Sequence, residues 1–204
     1  GSNFNFIAKN YTDNKFVEQI INSKLKNKIF VDCTSGKELA KEYLNLLKNK
    51  VSIVTANKTA NSIDYNYYQK LLELQKNKTF FNYEATVGAG LPILTSLNDL
   101  KNAGDEIEEI EAVLSGTLGY IFNIISKDVP LSKAIKKASK KGFSEPDPRD
   151  DLSGFDVLRK IIILIRELGI VIEPNAIEQE KIIDNELLFD CTLDDFYNNL
   201  SEVD

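Results

Sequence analysis

The stretch KIFVDCTSGKELAKEYLNLLKNKVSIVT, residues 28–55, sets a strand, a helix and a second strand one after another. Residues 28–33 read as a short buried strand, and residues 51–55 as another. Between them, residues 36–48 bring Leu39, Tyr43, Leu46 and Leu47 onto one helical stripe. Strands and helices alternating over short loops predict a parallel sheet with covering helices. The pattern continues outward in both directions. Residues 14–24 have helical apolar spacing, residues 63–76 carry Tyr67, Leu71, Leu72 and Leu74 on a further helix, and residues 79–86 (TFFNYEAT) read as a third strand.

After Gly90 the style changes. Pro92 suits the first turn of a helix reaching Asn102, and Asn102–Asp105 is a turn. Residues 107–115 (IEEIEAVLS) read as a strand, and Ser115-Gly116-Thr117 leads into an apolar helix through Ile125. Pro130 opens an amphipathic helix ending at Gly142; its Lys133, Lys136, Lys137, Lys140 and Lys141 form a solvated face. A long helix over 152–168, apolar nearly all round from Ile161 to Ile165, closes at Gly169. The fold class is therefore α/β. Residues 1–85 are expected to form the second half of a dinucleotide-binding domain, and residues 86–204 a catalytic and dimerisation domain of α+β type with a mixed or antiparallel sheet.

Composition removes several functions. The 204 residues carry a net charge of −6, which argues against a general nucleic-acid binder. No apolar run reaches the roughly 20 residues of a membrane span. Histidine is absent, which excludes Ser-His-Asp and Cys-His catalysis and any His-ligated metal. A general acid or base must then be Lys, Glu, Asp, Tyr or Cys. Cys33 and Cys191 make no metal or redox spacing and read as reduced thiols of a cytoplasmic protein.

Three places carry candidate chemistry. Thr34 and Lys58 lie just beyond two strands, where an open α/β sheet holds its ligand. Thr34-Ser35 reads equally well as the cap of the next helix. Val87-Gly88-Ala89-Gly90-Leu91-Pro92 lacks the third glycine of a dinucleotide fingerprint. It could aim carbonyls at a hard cation with Glu84 supplying charge, or be an ordinary strand-to-helix turn. Finally, EPDPRDDLSGFDVLRK (145–160) gathers five acids before Lys160. Asp156 and Lys160 are four apart and share a helix face with Val157, Ile163 and Leu164. A lysine on an apolar face beside a carboxylate can exchange a proton. The plainer alternatives are a capping box from Ser153 to Asp156 and a routine surface ion pair.

At this point the chain resembles homoserine dehydrogenase, alone or as the dehydrogenase part of the bifunctional aspartokinase/homoserine dehydrogenase. The matching stretches are VDCTS (31–35), TANKTAN (55–61), YEATVGAGLP (83–92), AGDEIEEIEAVLSGTLGYIFN (103–123) and GFSEPDPRDDLSGFDVLRK (142–160), in the family's order. The resemblance implies interconversion of L-aspartate 4-semialdehyde and L-homoserine with NADP or NAD, a step toward threonine, methionine and isoleucine. It implies Lys160 as general acid/base, with Asp156 orienting it and the substrate. Glu145 would bind the substrate's amino group and reach the cofactor beside Gly142. Gly116, Thr117, Asp150 and Asp151 would complete the substrate pocket. Thr34 and Lys58 would touch the cofactor. Glu84 with the carbonyls of Val87, Ala89 and Leu91 would hold a sodium ion. It further implies a small-molecule substrate and a homodimer.

The departures are specific. The family's strand and GxGxxG loop do not precede residue 28, so the chain reads as a central fragment of the enzyme. Phe143 stands where many members have tyrosine, and Thr59 where a second lysine is common. The rival reading is a catalytically inert folding and dimerisation piece.

Overall fold

Phe30, Ile53 and Phe81 stand in one row across three parallel strands and are buried together. The strands are β1 (Lys28–Asp32), β2 (Val51–Thr55) and β3 (Phe81–Asn82), in the order β1-β2-β3. The structure, a computed structural model, describes residues 15–75, 79–180, 182–183 and 190–204. Helices α1 (Lys15–Asn22), α2 (Lys37–Lys41), α3 (Tyr43–Lys48), α4 (Thr59–Ser62) and α5 (Tyr65–Leu74) accompany this sheet. Val17, Tyr43, Leu46, Leu47 and Leu71 pack from them onto the row. Fully burying a side chain such as Ile53 contributes about 1.5–3 kcal/mol. The opposite sheet face carries Ile29, Val31 and Val54, with Val31 62% exposed.

The expected parallel sheet is present, with differences in its parts. The expected third strand shortens to two residues, because Glu84–Thr86 wind into a 3-10 turn. That turn is held by Thr86 Oγ1 donating to the Tyr83 carbonyl at 2.6 Å. The helix expected over 36–48 breaks at Glu42, whose N–H turns back to the Leu39 carbonyl at 3.0 Å. The helix expected over 63–76 begins later, because Asp64 caps it by accepting from the Tyr67 N–H at 2.6 Å.

The second half holds α6 (Ile93–Asn102), α7 (Gly116–Ile124), α8 (Leu131–Lys140), α9 (Pro148–Leu152), α10 (Phe155–Glu167) and α11 (Leu193–Asn199). Leu118, Ile121, Ala134, Ile135, Ala138, Leu152 and Phe196 form its main core. Leu94 and Val87 pack on Ile163 and Leu164, which ties α10 to α6 and the turn before it. The lysines of α8 are solvated as expected, while Asp204 accepts from the Ser132 N–H at 2.7 Å at the start of that helix.

Two expectations fail here. Residues 107–115 form no strand, and among the described residues the second half has no sheet, only the isolated bridge Ser126↔Val129. A strand requires a neighbour to accept its hydrogen bonds, and none runs beside it. The segment instead faces Val157, Ile161, Leu164 and Ile165 of α10, and Leu168 just after it, across a groove of about 340 Å³, with Val113 81% exposed. The helix expected over 152–168 is two helices, because Gly154 adopts φ +69° between α9 and α10. Ser153 is therefore not the N-cap of α10, and the capping-box alternative is set aside. Among the described residues no helix is long and apolar enough to cross a membrane.

Candidate active site

Gly154 reverses the chain so that α10 starts with Asp156 in its first turn. One turn on, Lys160 Nζ lies 2.8 Å from Asp156 Oδ2. The other carboxylate oxygen, Oδ1, lies 3.0 Å from Lys58 Nζ. Lys160 Nζ also donates to the Leu114 carbonyl at 2.6 Å. Both lysine side chains are mostly buried, at 22% exposure for Lys58 and 17% for Lys160. The pair is therefore not the loose surface contact that i,i+4 spacing alone allows. Partial burial would raise the Asp156 carboxyl. The hydrogen bonds from Lys160 and Lys58 outweigh it and hold the group below the usual carboxylate range.

Lys58 is placed by a buried polar cluster at the carboxyl ends of β1 and β2. Asp32 Oδ1 accepts from the Thr34 N–H at 2.8 Å and from Thr34 Oγ1 at 2.7 Å. Asp32 Oδ2 accepts from Tyr43 OH at 2.5 Å and Asn57 Nδ2 at 3.2 Å. Asn57 also donates to the Gly36 carbonyl at 2.8 Å, and its own carbonyl side-chain oxygen accepts from the Thr59 N–H at 2.9 Å. Burial, then the bond to Asp32, push the Tyr43 hydroxyl far above its ordinary value, so it stays a donor. Thr34 thus folds back onto Asp32, and the N-cap of α2 is Gly36 without a side-chain cap. Asp32 and Asn57 went unread in the sequence, because strand-end polar residues carry no periodicity, and Tyr43 was read only as part of a helical stripe.

A second cluster builds the loop before α9. Thr117 Oγ1, in the first turn of α7, lies 2.6 Å from the Phe143 carbonyl and 2.9 Å from Asp151 Oδ1. Asp151 Oδ2 accepts from the Glu145 N–H at 2.8 Å, so Asp151 fixes the backbone that carries Glu145. Ser115 caps α7, accepting from the Leu118 N–H at 3.1 Å, and leaves Gly116 as its first residue. Gly142 takes φ +71° at the end of α8. Asp150 and Glu145 are exposed. Asp147 caps α9 through the Arg149 N–H at 3.0 Å, and its hydrogen bond to the Arg149 side chain lowers its carboxyl. Among the described residues no hydrogen bond or ion pair joins this cluster to Lys160.

Glu84 has a structural role as well. Its carboxylate accepts from the Leu94 N–H at 2.8 Å, the Thr95 N–H at 2.9 Å and Thr95 Oγ1 at 2.6 Å. Those bonds satisfy the open N-terminus of α6. In the loop, Gly88 has φ +79° and Ala89 φ +52°, and the Leu91 carbonyl accepts from the Ile93 N–H at 2.9 Å. Among the described residues no group of three or more acids or cysteines is arranged to hold a metal.

The chain is similar to known proteins over both of its halves. Residues 92–202 match the family described as homoserine dehydrogenase, and residues 8–83 match its NAD binding domain. The chain is 45% identical to the chloroplastic bifunctional aspartokinase/homoserine dehydrogenase 1 of Zea mays, over 90% of its own length and 20% of that enzyme. It is 42% identical to the homoserine dehydrogenase of Saccharomyces cerevisiae, over 86% of its length and 50% of that enzyme. A hyperthermophilic archaeal homoserine dehydrogenase in complex with NADPH superposes with a TM-score of 0.61 at 34% identity, covering 68% of this chain and 43% of the other. The chain thus spans half or less of these proteins. With residues 92–202 matched by the homoserine dehydrogenase family and residues 8–83 by its NAD binding domain, this chain belongs to the homoserine dehydrogenase family.

Proposed function

We propose that the chain carries the reactive centre for interconverting L-aspartate 4-semialdehyde and L-homoserine with NADP or NAD. One observation carries this reading. Lys160 is a partly buried ammonium held at a fixed position by Asp156 and the Leu114 carbonyl, with a second lysine on the same carboxylate. The chain has no histidine, so the proton falls to Lys, Glu, Asp, Tyr or Cys, and Lys160 is the candidate held in this way.

The bound dinucleotide supplies or accepts the hydride. In the reducing direction Lys160 gives a proton to the aldehyde oxygen as the hydride arrives at carbon, and in the oxidising direction it takes the proton back. Asp156 holds Lys160 in register and receives the substrate hydroxyl end. Glu145, exposed on a loop braced by Asp151, binds the substrate ammonium. Gly116, Thr117, Asp150 and Asp151 frame that pocket. The cofactor would lie across the carboxyl ends of β1 and β2, near Thr34, Lys58, Gly142 and Glu145. Lys58 fits this role, because Asp156 engages one of three ammonium donors and two remain for a phosphate.

A sodium ion is a further part of the reading. The ion would be held by the Glu84 carboxylate, which keeps acceptor capacity beyond its bonds to α6, with the carbonyl oxygens of Val87, Ala89 and Leu91. An all-oxygen set suits a hard cation. A homodimer in the cytoplasm is the matching assembly, formed over the apolar surface that includes Val113 and Phe122.

The test is NADP-dependent oxidation of L-homoserine by the chain, with Lys160→Ala as control. Activity that disappears in the control supports the reading. An intact fold without activity favours the inert folding and dimerisation module, for which the uncovered face of Ile29, Val31 and Val54 speaks.

A further inference from the structure

We infer that Arg166 is a positioning residue for the Lys58–Asp156–Lys160 cluster, acting through the short segment 58–63. This segment is fastened to α10 at two points. At its start, Lys58 Nζ meets Asp156 Oδ1 at 3.0 Å. At its end, Arg166 Nη1 donates to the Asn61 carbonyl at 2.7 Å and Nη2 to the Ile63 carbonyl at 2.5 Å. Between the two lies the single turn α4, all four residues of which are buried.

Arg166 is itself locked. Its side chain has 0% exposure. It also donates to the Ile172 carbonyl, from Nε at 3.3 Å and Nη2 at 2.9 Å, and pairs with Glu173 at 3.5 Å. The Tyr65 and Tyr68 rings lie 5.3 and 5.5 Å from the guanidinium carbon. Glu173 in turn accepts from the Tyr65 N–H at 3.0 Å.

A buried cation is a poor way to gain stability, since its desolvation offsets most of what its contacts return. It is a good way to fix geometry, because the planar fork bonds several carbonyls in set directions. Asp156 and Arg166 are separated by about 15 Å of helix axis. One rigid turn attached at both points holds the Lys58 ammonium at a fixed place along α10. If the Arg166 end is released, α4 can slide, and Lys58 leaves Asp156 first.

The inference rests on taking these three residues as the reactive cluster, but its test needs no turnover. The charged groups facing Asp156 are Lys58, Lys160 and Arg159. Carboxyl-carbon NMR follows the titration of Asp156 in the whole chain. Arg166→Gln is expected to raise its midpoint by about one pH unit, the effect of losing one close cation. Lys58→Met should give the same rise, and the double variant no further rise. A merely structural Arg166 would lower the melting temperature and leave the midpoint where it was, which overturns the inference. If Arg166→Gln does not fold, Arg166→Lys keeps the charge without the fork, and the same two results decide. An inactive chain whose midpoint shifts as described would sink the dehydrogenase reading and leave this one standing.

Discussion

Lys58 and Asp156 come from opposite halves of the chain, and their side chains meet at 3.0 Å. This ion pair ties the residues just after β2 to the first turn of α10. It divides one carboxylate between two lysines, so Lys160 is held from one side only by Asp156 and from another by the Leu114 carbonyl.

On the proposed reading, removing the Lys160 amine should leave little turnover. Lys160→Ala is expected to lower kcat for homoserine oxidation by about 10²–10⁴-fold, the usual range for a general acid or base. Steady-state rates over a homoserine series measure it. A loss under threefold would move the proton to another residue.

Asp156 links the site to acid stability. Its carboxyl is held below the ordinary range in the fold, so its contribution is complete above the unfolded value of about 3.9. That contribution is lost as pH falls through the native value. Urea titrations between pH 6 and pH 3 should show Asp156→Asn with a shallower decline than the parent. Parallel curves would mean that the lysines do not stabilise the ionised form.

The left-handed residue before α10 has to be glycine. Gly154 sits at φ +69°, where a side chain costs roughly 1–2 kcal/mol. An added Cβ would meet only Gln179 Nε2, at 3.4 Å, so backbone strain dominates over crowding. Gly154→Ala should therefore lose about that much in denaturant unfolding, and Gly154→Asn less, since asparagine tolerates this region. Equal losses in both would argue against a conformational origin.

Glu84 caps a helix from a distance. Glu84→Ala frees the Leu94 and Thr95 N–H groups and should cost about 0.5–2 kcal/mol, the range for a lost N-cap. With Glu84 also holding the proposed sodium ion, the loss is expected to be larger in sodium than in choline chloride. Equal losses in both salts would leave the carboxylate a helix cap only.

The row of Phe30, Ile53 and Phe81 carries the first core. Ile53→Ala should destabilise the chain by about 2–5 kcal/mol by thermal or chemical unfolding. A cost below 1 kcal/mol would mean that the sheet collapses around the cavity.

The alternation from residue 28 to residue 76 determined the parallel sheet and its helices, because apolar period and strand length are local properties. The helix starting at Gly116 and the one closed by Gly169 were legible for the same reason, through a serine cap and a left-handed glycine. The pairing of Asp156 with Lys160 was also legible, since four residues make one helical turn. Lys58 as the second partner of Asp156 was not, and neither was the Arg166 clasp. Those contacts join segments far apart in sequence, and their distances follow from how α4 lies on α10. Residues 107–115 show the same limit from the other side. Their apolar residues are a local property, but a strand exists only where a neighbour pairs with it, and the tertiary structure brings the segment against α10 instead. Sequence alone determined the elements and the chemistry available to them. Only the folded arrangement decided which charges meet, because burial and distance are properties of packing.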